Sequence, residues 1–247
     1  MIPQPSVSVV FEPAARPSAD LAGATAVVID AIRATTTIVA ALAAGCRECL
    51  VFCTDAEVRA EARRRPAGSV ATAGERLGLR IDGLDFNNSP SVMTPGNVGG
   101  RTLLLTTTNG TQAVHDGMKA GAALIAAMPN RRAVARRVAA LGRRVVFLPA
   151  GTVGTVSCED TLVAGAVIEA LLEGPGVKGF HLEDSARVAL AAWGGAKDRL
   201  GEVFRQTWGG ACIVNLGLDA DLAVCVQVDT TDVVPVVRGD PPVIVAE

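Results

Sequence analysis

Short apolar runs alternate with longer amphipathic stretches along nearly the whole chain. SVSVVF (6–11), ATAVVID (24–30), ECLVFC (48–53), RTLLLTT (101–107), AALIAAM (122–128) and RRVVFLPAG (143–151) are brief and rich in Val, Ile or Leu, as buried strands are. GSVATAGE (68–75) reads as a weaker strand running into a loop. Helical spacing falls between them. ATTTIVAALAAG (34–45) opens on threonines and closes on Gly45. DAEVRAEARRR (55–65), TQAVHDGMKAG (111–121), RRAVARRVAALG (131–142) and EDTLVAGAVIEALLEG (159–174) continue the rhythm. EDSARVALAAWGGA (183–196) and DRLGEVFRQTWGG (198–210) each read as one helix. LAVCVQV (222–228) and VVPVVRG (233–239) read as strands, and Pro235 places the second at a sheet edge.

Strands spaced by helices predict an α/β fold, with a mainly parallel (mixed) sheet covered by helices on both faces. No break in composition divides residues 1–247, so a single domain is expected. The long Gly-, Asn- and Pro-rich connection over 76–100 is the kind of loop that often carries function.

In such sheets ligands sit beyond the carboxyl ends of the strands. Polar residues follow four of the strands here. They are Asp30, Arg33, Thr35, Thr36 and Thr37; Gly74, Glu75 and Arg76; Thr108, Asn109, Gly110 and Thr111; and Gly151, Thr152, Gly154, Thr155, Ser157, Glu159 and Asp160. Any one group reads equally as a helix cap. Together they place hydroxyls, glycines and carboxylates on one expected rim. Helix N-terminal amides and hydroxyls suit an anion such as phosphate. Arg33 and Arg76 add charge-assisted donors. Asp30, Glu75, Glu159 and Asp160 are hard oxygen ligands of the kind magnesium takes.

Composition narrows the alternatives. Hydrophobic residues are 49% and charged residues 19%, a globular balance. Aromatics are 3% and the net charge is -2, which disfavours base stacking and a field that attracts nucleic acid or anionic membrane. The arginines over 131–144 read as a solvated helix face, with a phosphate- or RNA-binding patch as the alternative. Residues 1–20 lack the pattern of a signal peptide, and no membrane span is expected, so a cytoplasmic protein with six free thiols is. Cys46, Cys49 and Cys53 lack the partners of a zinc site. His115 and His181 read as surface or core histidines, and Cys158 as a nucleophile only if its helix end lowers its pKa. GxxxxGK[ST], GxSxG and a strand followed by GxGxxG are all missing.

In this order, VVIDAIRATTTIVAALAAG (27–45), GERLGLRIDGLDFNNSP (74–90), LLLTTTNGTQAV (103–114), VVFLPAGTVGTVSCEDTLVAGAVI (145–168) and GLDADLAVCVQVDTTDVVPVV (217–237) resemble the 2-phosphosulfolactate phosphatase (ComB-like) family. The resemblance implies a three-layer α/β/α sandwich, a homodimer, and a Mg2+-dependent phosphatase. Its small-molecule substrate is a phosphorylated, sulfonated 2-hydroxy acid on the route to coenzyme M. Carried onto this chain, it casts Asp30, Arg33, Glu75, Arg76 and Asp160 as catalytic. Thr35, Thr36, Asn88, Ser89, Thr108, Asn109, Gly110, Thr111, Gly151 and Thr152 become substrate-binding, and Asp30, Glu159 and Asp160 the metal ligands. Cys158 and the Gly209–Gly210 pair depart from the family pattern, which expects a larger apolar residue and a more polar pair. The rivals are a phosphatase for another 2-phospho-hydroxy acid and a non-catalytic anion-binding module. Nearby acids gain nothing for simple anion binding, which favours an enzyme.

Overall fold

The structure, a computed structural model, describes residues 5–174 and 179–247. Residues 1–4, the start of the segment read as no signal peptide, lie outside them. The first half of the chain runs β1 (Ser6–Val9), β2 (Thr25–Ile29), α1 (Ala34–Ala43), β3 (Glu48–Val51), α2 (Asp55–Arg64), β4 (Val70–Arg76) and β5 (Leu79–Arg80). It continues through α3 (Pro95–Val98), β6 (Thr102–Thr106), α4 (Gly110–Gly117), β7 (Ala122–Ala126), α5 (Arg131–Leu141) and β8 (Val145–Pro149). Next come α6 (Cys158–Glu173), β9 (His181–Leu182), α7 (Asp184–Ala196), α8 (Leu200–Gln206), α9 (Trp208–Asn215) and α10 (Asp219–Cys225). β10 (Pro235–Arg238) and β11 (Val243–Ala246) follow.

The strands form one mixed, mostly parallel sheet in the order β5-β4-β6-β3-β11-β10-β7-β2-β8-β1-β9. Alternate side chains of each central strand enter opposite layers, as the two-residue strand period requires. Val27 and Ile29 pack with Val134, Val163 and Val167 of α5 and α6. Ala26 and Val28 pack with Ile38, Val39 and Val114 of α1 and α4 on the other face. Val58 of α2 covers Leu50 and Leu104. The result is a three-layer α/β/α sandwich.

Two parallel ladders, β4-β6-β3 and β7-β2-β8-β1-β9, flank an antiparallel hairpin formed by β10 and β11. The hairpin reverses strand sense between the ladders, a feature the strand–helix rhythm does not reveal. The loops after β2, β4, β6 and β8 nevertheless line one region of the molecule.

Four sequence expectations change. LAVCVQV (222–228) is not a strand: its start completes α10, whose Leu222 and Cys225 face inward three residues apart. Pro235 is not at an edge, because β10 pairs with both β7 and β11. As the first residue of its strand it gives up no ladder bond that the register needs. SVATAGE is a full strand reaching Arg76. Its small residues reflect close packing: a Cβ on Gly74 would lie 2.9 Å from the Thr106 carbonyl oxygen and 3.0 Å from Leu84. Residues 198–210 contain a helix break at Thr207, whose hydroxyl accepts the Gly210 N–H at 3.1 Å and starts α9.

Candidate active site

Four loops are tied together by buried carboxylates. Asp160, in the first turn of α6, accepts the Ala31 amide on Oδ1 at 2.8 Å and the Gly151 amide on Oδ2 at 3.0 Å. It therefore joins the exits of β2 and β8. Glu75, at the end of β4, accepts the Thr108 amide on Oε1 at 2.7 Å and the Gly78 amide on Oε2 at 2.8 Å. Ser157 caps α6 by accepting the Asp160 amide at 3.1 Å.

Asp30 follows β2 and accepts the Ala34 amide on Oδ1 at 3.2 Å. A Cβ on Gly110 would lie 2.7 Å from Asp30 Oδ2 and 2.5 Å from Ala34 Cβ. The glycine thus lets the N-terminus of α4 approach the acid. The Thr107 and Thr111 hydroxyls are spent on each other's backbone amides, at 3.1 and 3.0 Å. The N–H groups of Asn109 and Gly110 have no acceptor among the described residues.

A cavity of about 310 Å³ opens over these groups. Asp30, Arg33, Glu75, Asn88, Thr108, Asn109 and Thr152 line its polar side, and Ile32, Leu77, Val153, Trp208 and Ile213 its apolar side. Glu159 borders an adjoining cavity that shares Thr152, Val153 and Trp208. The acids are buried without matching cations. Burial, reinforced by Glu75 and Glu159 and opposed by the Ala34 amide and Arg33, pushes the Asp30 carboxyl up to about 7. Burial, then Asp30 and Glu159, raises Asp160 well above the usual carboxylate range. Burial also raises Glu159.

Such a cluster favours a proton or a hard cation. Among the described residues no group of three or more His, Cys, Asp or Glu forms a ready metal cage. Magnesium does not need one, since it commonly takes one or two carboxylates together with water and substrate phosphate. Among the described residues, Asp30 Oδ2 has no protein donor and the buried Asn88 Oδ1 has no hydrogen-bond partner. The donor set is all oxygen and fits that mode, with Asp30 best placed and Glu159 next. Asp160 fits less well, because amides hold both its oxygens.

Other expected site residues make bonds within the protein. Thr35 and Thr36 are fully buried; their hydroxyls bond to the backbone of Asp30 and Ala31. Ser89 donates to Asp221 and lies outside the cavity wall. Gly151, at φ 78°, turns the chain toward Asp160. Arg76 is exposed and on the opposite side of β4 from Glu75, reaching Thr106 Oγ1 at 3.2 Å. The loop reading of residues 75–76 concealed that alternation. Cys158 is no activated thiol, because burial and then Glu159 and Asp160 raise its pKa. His115 lies 3.5 Å from Cys53, and His181 is in edge strand β9; neither lines the cavity. Most of the arginines over 131–144 form ion pairs, among them Arg131 with Glu169 and Asp229.

Two contributors were missed. Asp221 is 1% exposed and pairs with Arg33; reading its helix as a strand hid it. Gly209 abuts Glu159 Oε1 so closely that a Cβ there would collide with it.

The family model described as 2-phosphosulpholactate phosphatase matches residues 10–240. The probable 2-phosphosulfolactate phosphatase of Synechococcus sp. (strain RCC307) is 40% identical over 214 residues, covering 85% of this chain and 87% of that protein. The protein of the same name from Deinococcus radiodurans is 39% identical over 218 residues, with 87% and 88% covered. That from Symbiobacterium thermophilum is 37% identical over 220 residues, with 89% and 94% covered. A match across nearly the whole chain, on a fold whose four loops converge on a cluster of buried acids, means that this chain belongs to the 2-phosphosulpholactate phosphatase family.

Proposed function

We propose that the protein hydrolyses 2-phosphosulfolactate to sulfolactate and phosphate with the help of magnesium. The observation that carries the reading is Asp30: a buried acid with a donor-free oxygen, set between Arg33 and the N-terminus of α4 on the wall of one cavity. Phosphoryl transfer asks the protein mainly for positioning and charge stabilisation. Arg33 supplies a guanidinium for the phosphoryl oxygens, and the Asn109 and Gly110 amides supply neutral donors at a helix N-terminus. Asp30 and Glu159 would hold the ion. When bound, it would polarise the phosphoryl group and activate a water. Glu75 and Asp160 keep the loops in register through their amide bonds.

Ile32, Val153, Trp208 and Ile213 form an apolar wall facing the polar one. A carboxylate nucleophile is a second reading, favoured by the donor-free Asp30 Oδ2. It predicts a phosphorylated protein that can be trapped by rapid quenching. The reading also includes cytoplasmic action on the coenzyme M route and a homodimer. No helix among the described residues is long and apolar enough to cross a membrane. Trp208 (69%), Leu77 (89%) and Val153 (74%) leave apolar surface at the cavity mouth, which supports self-association.

The test is phosphate release from a panel of 2-phospho-hydroxy acids, with magnesium and with chelator. Magnesium-dependent release that is fastest with 2-phosphosulfolactate is expected. Release only from an unsulfonated member would move the assignment to another substrate, and no release from any member would favour an anion-binding module.

A further inference from the structure

We propose that Asp221 is the positioning residue of the site, setting the Arg33 guanidinium and the Asn88 segment against each other through one carboxylate. The two oxygens divide the work. Oδ2 receives Arg33 Nη1 at 2.5 Å. Oδ1 receives the Ser89 hydroxyl, the Ser91 hydroxyl at 2.6 Å and the Ser91 amide at 3.3 Å. Arg33 and Asp221 are 2% and 1% exposed. Three segments far apart in sequence thus meet at this carboxylate: the β2–α1 loop, the 88–91 turn and α10.

The arrangement also orients what remains of Arg33. Its Nη2 donates to the Gly78 carbonyl at 3.0 Å and to Asn87 Oδ1 at 3.3 Å. With Nη1 on Asp221, Nε–H and one Nη1–H lack protein acceptors among the described residues. Arg33 lines the cavity with Asn88, whose Oδ1 is the buried acceptor without a partner. Two N–H groups of an otherwise anchored guanidinium are thus left for an anion in the cavity. Asp221 itself lies outside the cavity wall, so it acts through Arg33 and the serines.

This inference rests on the reading that Arg33 meets the phosphoryl group, and the experiment separates the two. Asp221→Asn keeps the shape and removes the charge. In magnesium buffer it should lower kcat/KM for phosphate release by about 10- to 100-fold. In an Arg33→Lys background the same change should cost about twofold or less, because Asp221 sets the guanidinium against the Asn88 segment and that variant has no guanidinium to set. Binding of inorganic phosphate, measured by calorimetry, should weaken in the same pattern. Thermal unfolding checks that each variant folds. Ser91→Ala, which removes one donor to Oδ1, should give a smaller loss that also vanishes in the Arg33→Lys background, and it decides the matter if Asp221→Asn does not fold. Wild-type kcat/KM in Asp221→Asn, or an equal loss in both backgrounds, would overturn the proposal. A wild-type protein that binds phosphate but releases none would sink the phosphatase reading while the calorimetry still decides Asp221. One that neither releases nor binds phosphate would remove both.

Discussion

Asp160 accepts the amide of Ala31 at 2.8 Å, so a carboxylate on α6 fixes the exit of β2. The same side chain holds the Gly151 amide. Replacing it with Ala strands two buried N–H groups, each worth about 1–3 kcal/mol. Asp160→Ala should therefore lose about 2–5 kcal/mol of stability in urea unfolding. Asp160→Asn keeps one acceptor and should lose less. Equal, small losses in both would show that the two amides find other partners.

Asp30 links pH to stability with a definite sign. Its folded-state pKa, about 7, lies above the ordinary 3.8. Its stabilising contribution is thus fully present below the ordinary value and is lost as pH rises through 7. In chelator, the urea midpoint should fall between pH 5 and pH 8, and Asp30→Asn should flatten that fall. Magnesium should restore stability at pH 8, because binding to the folded state adds to it. Asp30→Asn should also cut turnover roughly 10²- to 10³-fold. A midpoint that responds to pH identically in wild type and variant would contradict the assignment of the titration to Asp30.

Gly110 marks the closest approach of α4 to the acid. Gly110→Ala places a methyl 2.5 Å from Ala34 Cβ and 2.7 Å from Asp30 Oδ2. Overpacking of this kind costs about 1–3 kcal/mol. The variant should unfold earlier and turn over more slowly, whereas Gly201→Ala, at a helical glycine with open space around it, should leave turnover unchanged. Wild-type turnover in Gly110→Ala would show that α4 can withdraw without consequence.

Arg33 and Arg76 should separate cleanly. Arg76 is exposed and donates to the Glu75 and Cys53 carbonyls and to Thr106 Oγ1. Arg76→Ala should change transition-state binding by about 0.5 kcal/mol or less, as surface substitutions usually do. Arg33→Ala should be severe. A large fall in kcat/KM for Arg76→Ala would return that arginine to the site.

The sequence displayed the alternation of strand and helix, because burial on both faces leaves continuous apolar runs such as Val27–Ile29 and Leu103–Leu105. The acids Asp30, Glu75 and Asp160 were legible as polar residues at strand or helix ends. What each does was not. Hydroxyls that look poised for a ligand, at Thr35, Thr36 and Thr111, close backbone bonds instead. Strand alternation separates Glu75 from Arg76, and only the true end of β4 reveals it. Asp221 escaped because the apolar run beginning at Leu222 fits both periods, and the inward pair Leu222 and Cys225 selects the helix only once the core is in place. The hairpin itself is local, but its insertion between β3 and β7 is a long-range arrangement that no local pattern encodes.

That hairpin also sets the order of events when the polypeptide is made. Leu50 of β3 pairs with Val243 of β11, and Leu124 of β7 pairs with Val236 of β10. The middle of the sheet is therefore supplied after both flanks have left the ribosome. Until residues 235–246 emerge, β3 and β7 each present an open edge, a hazard for self-association in a nascent chain.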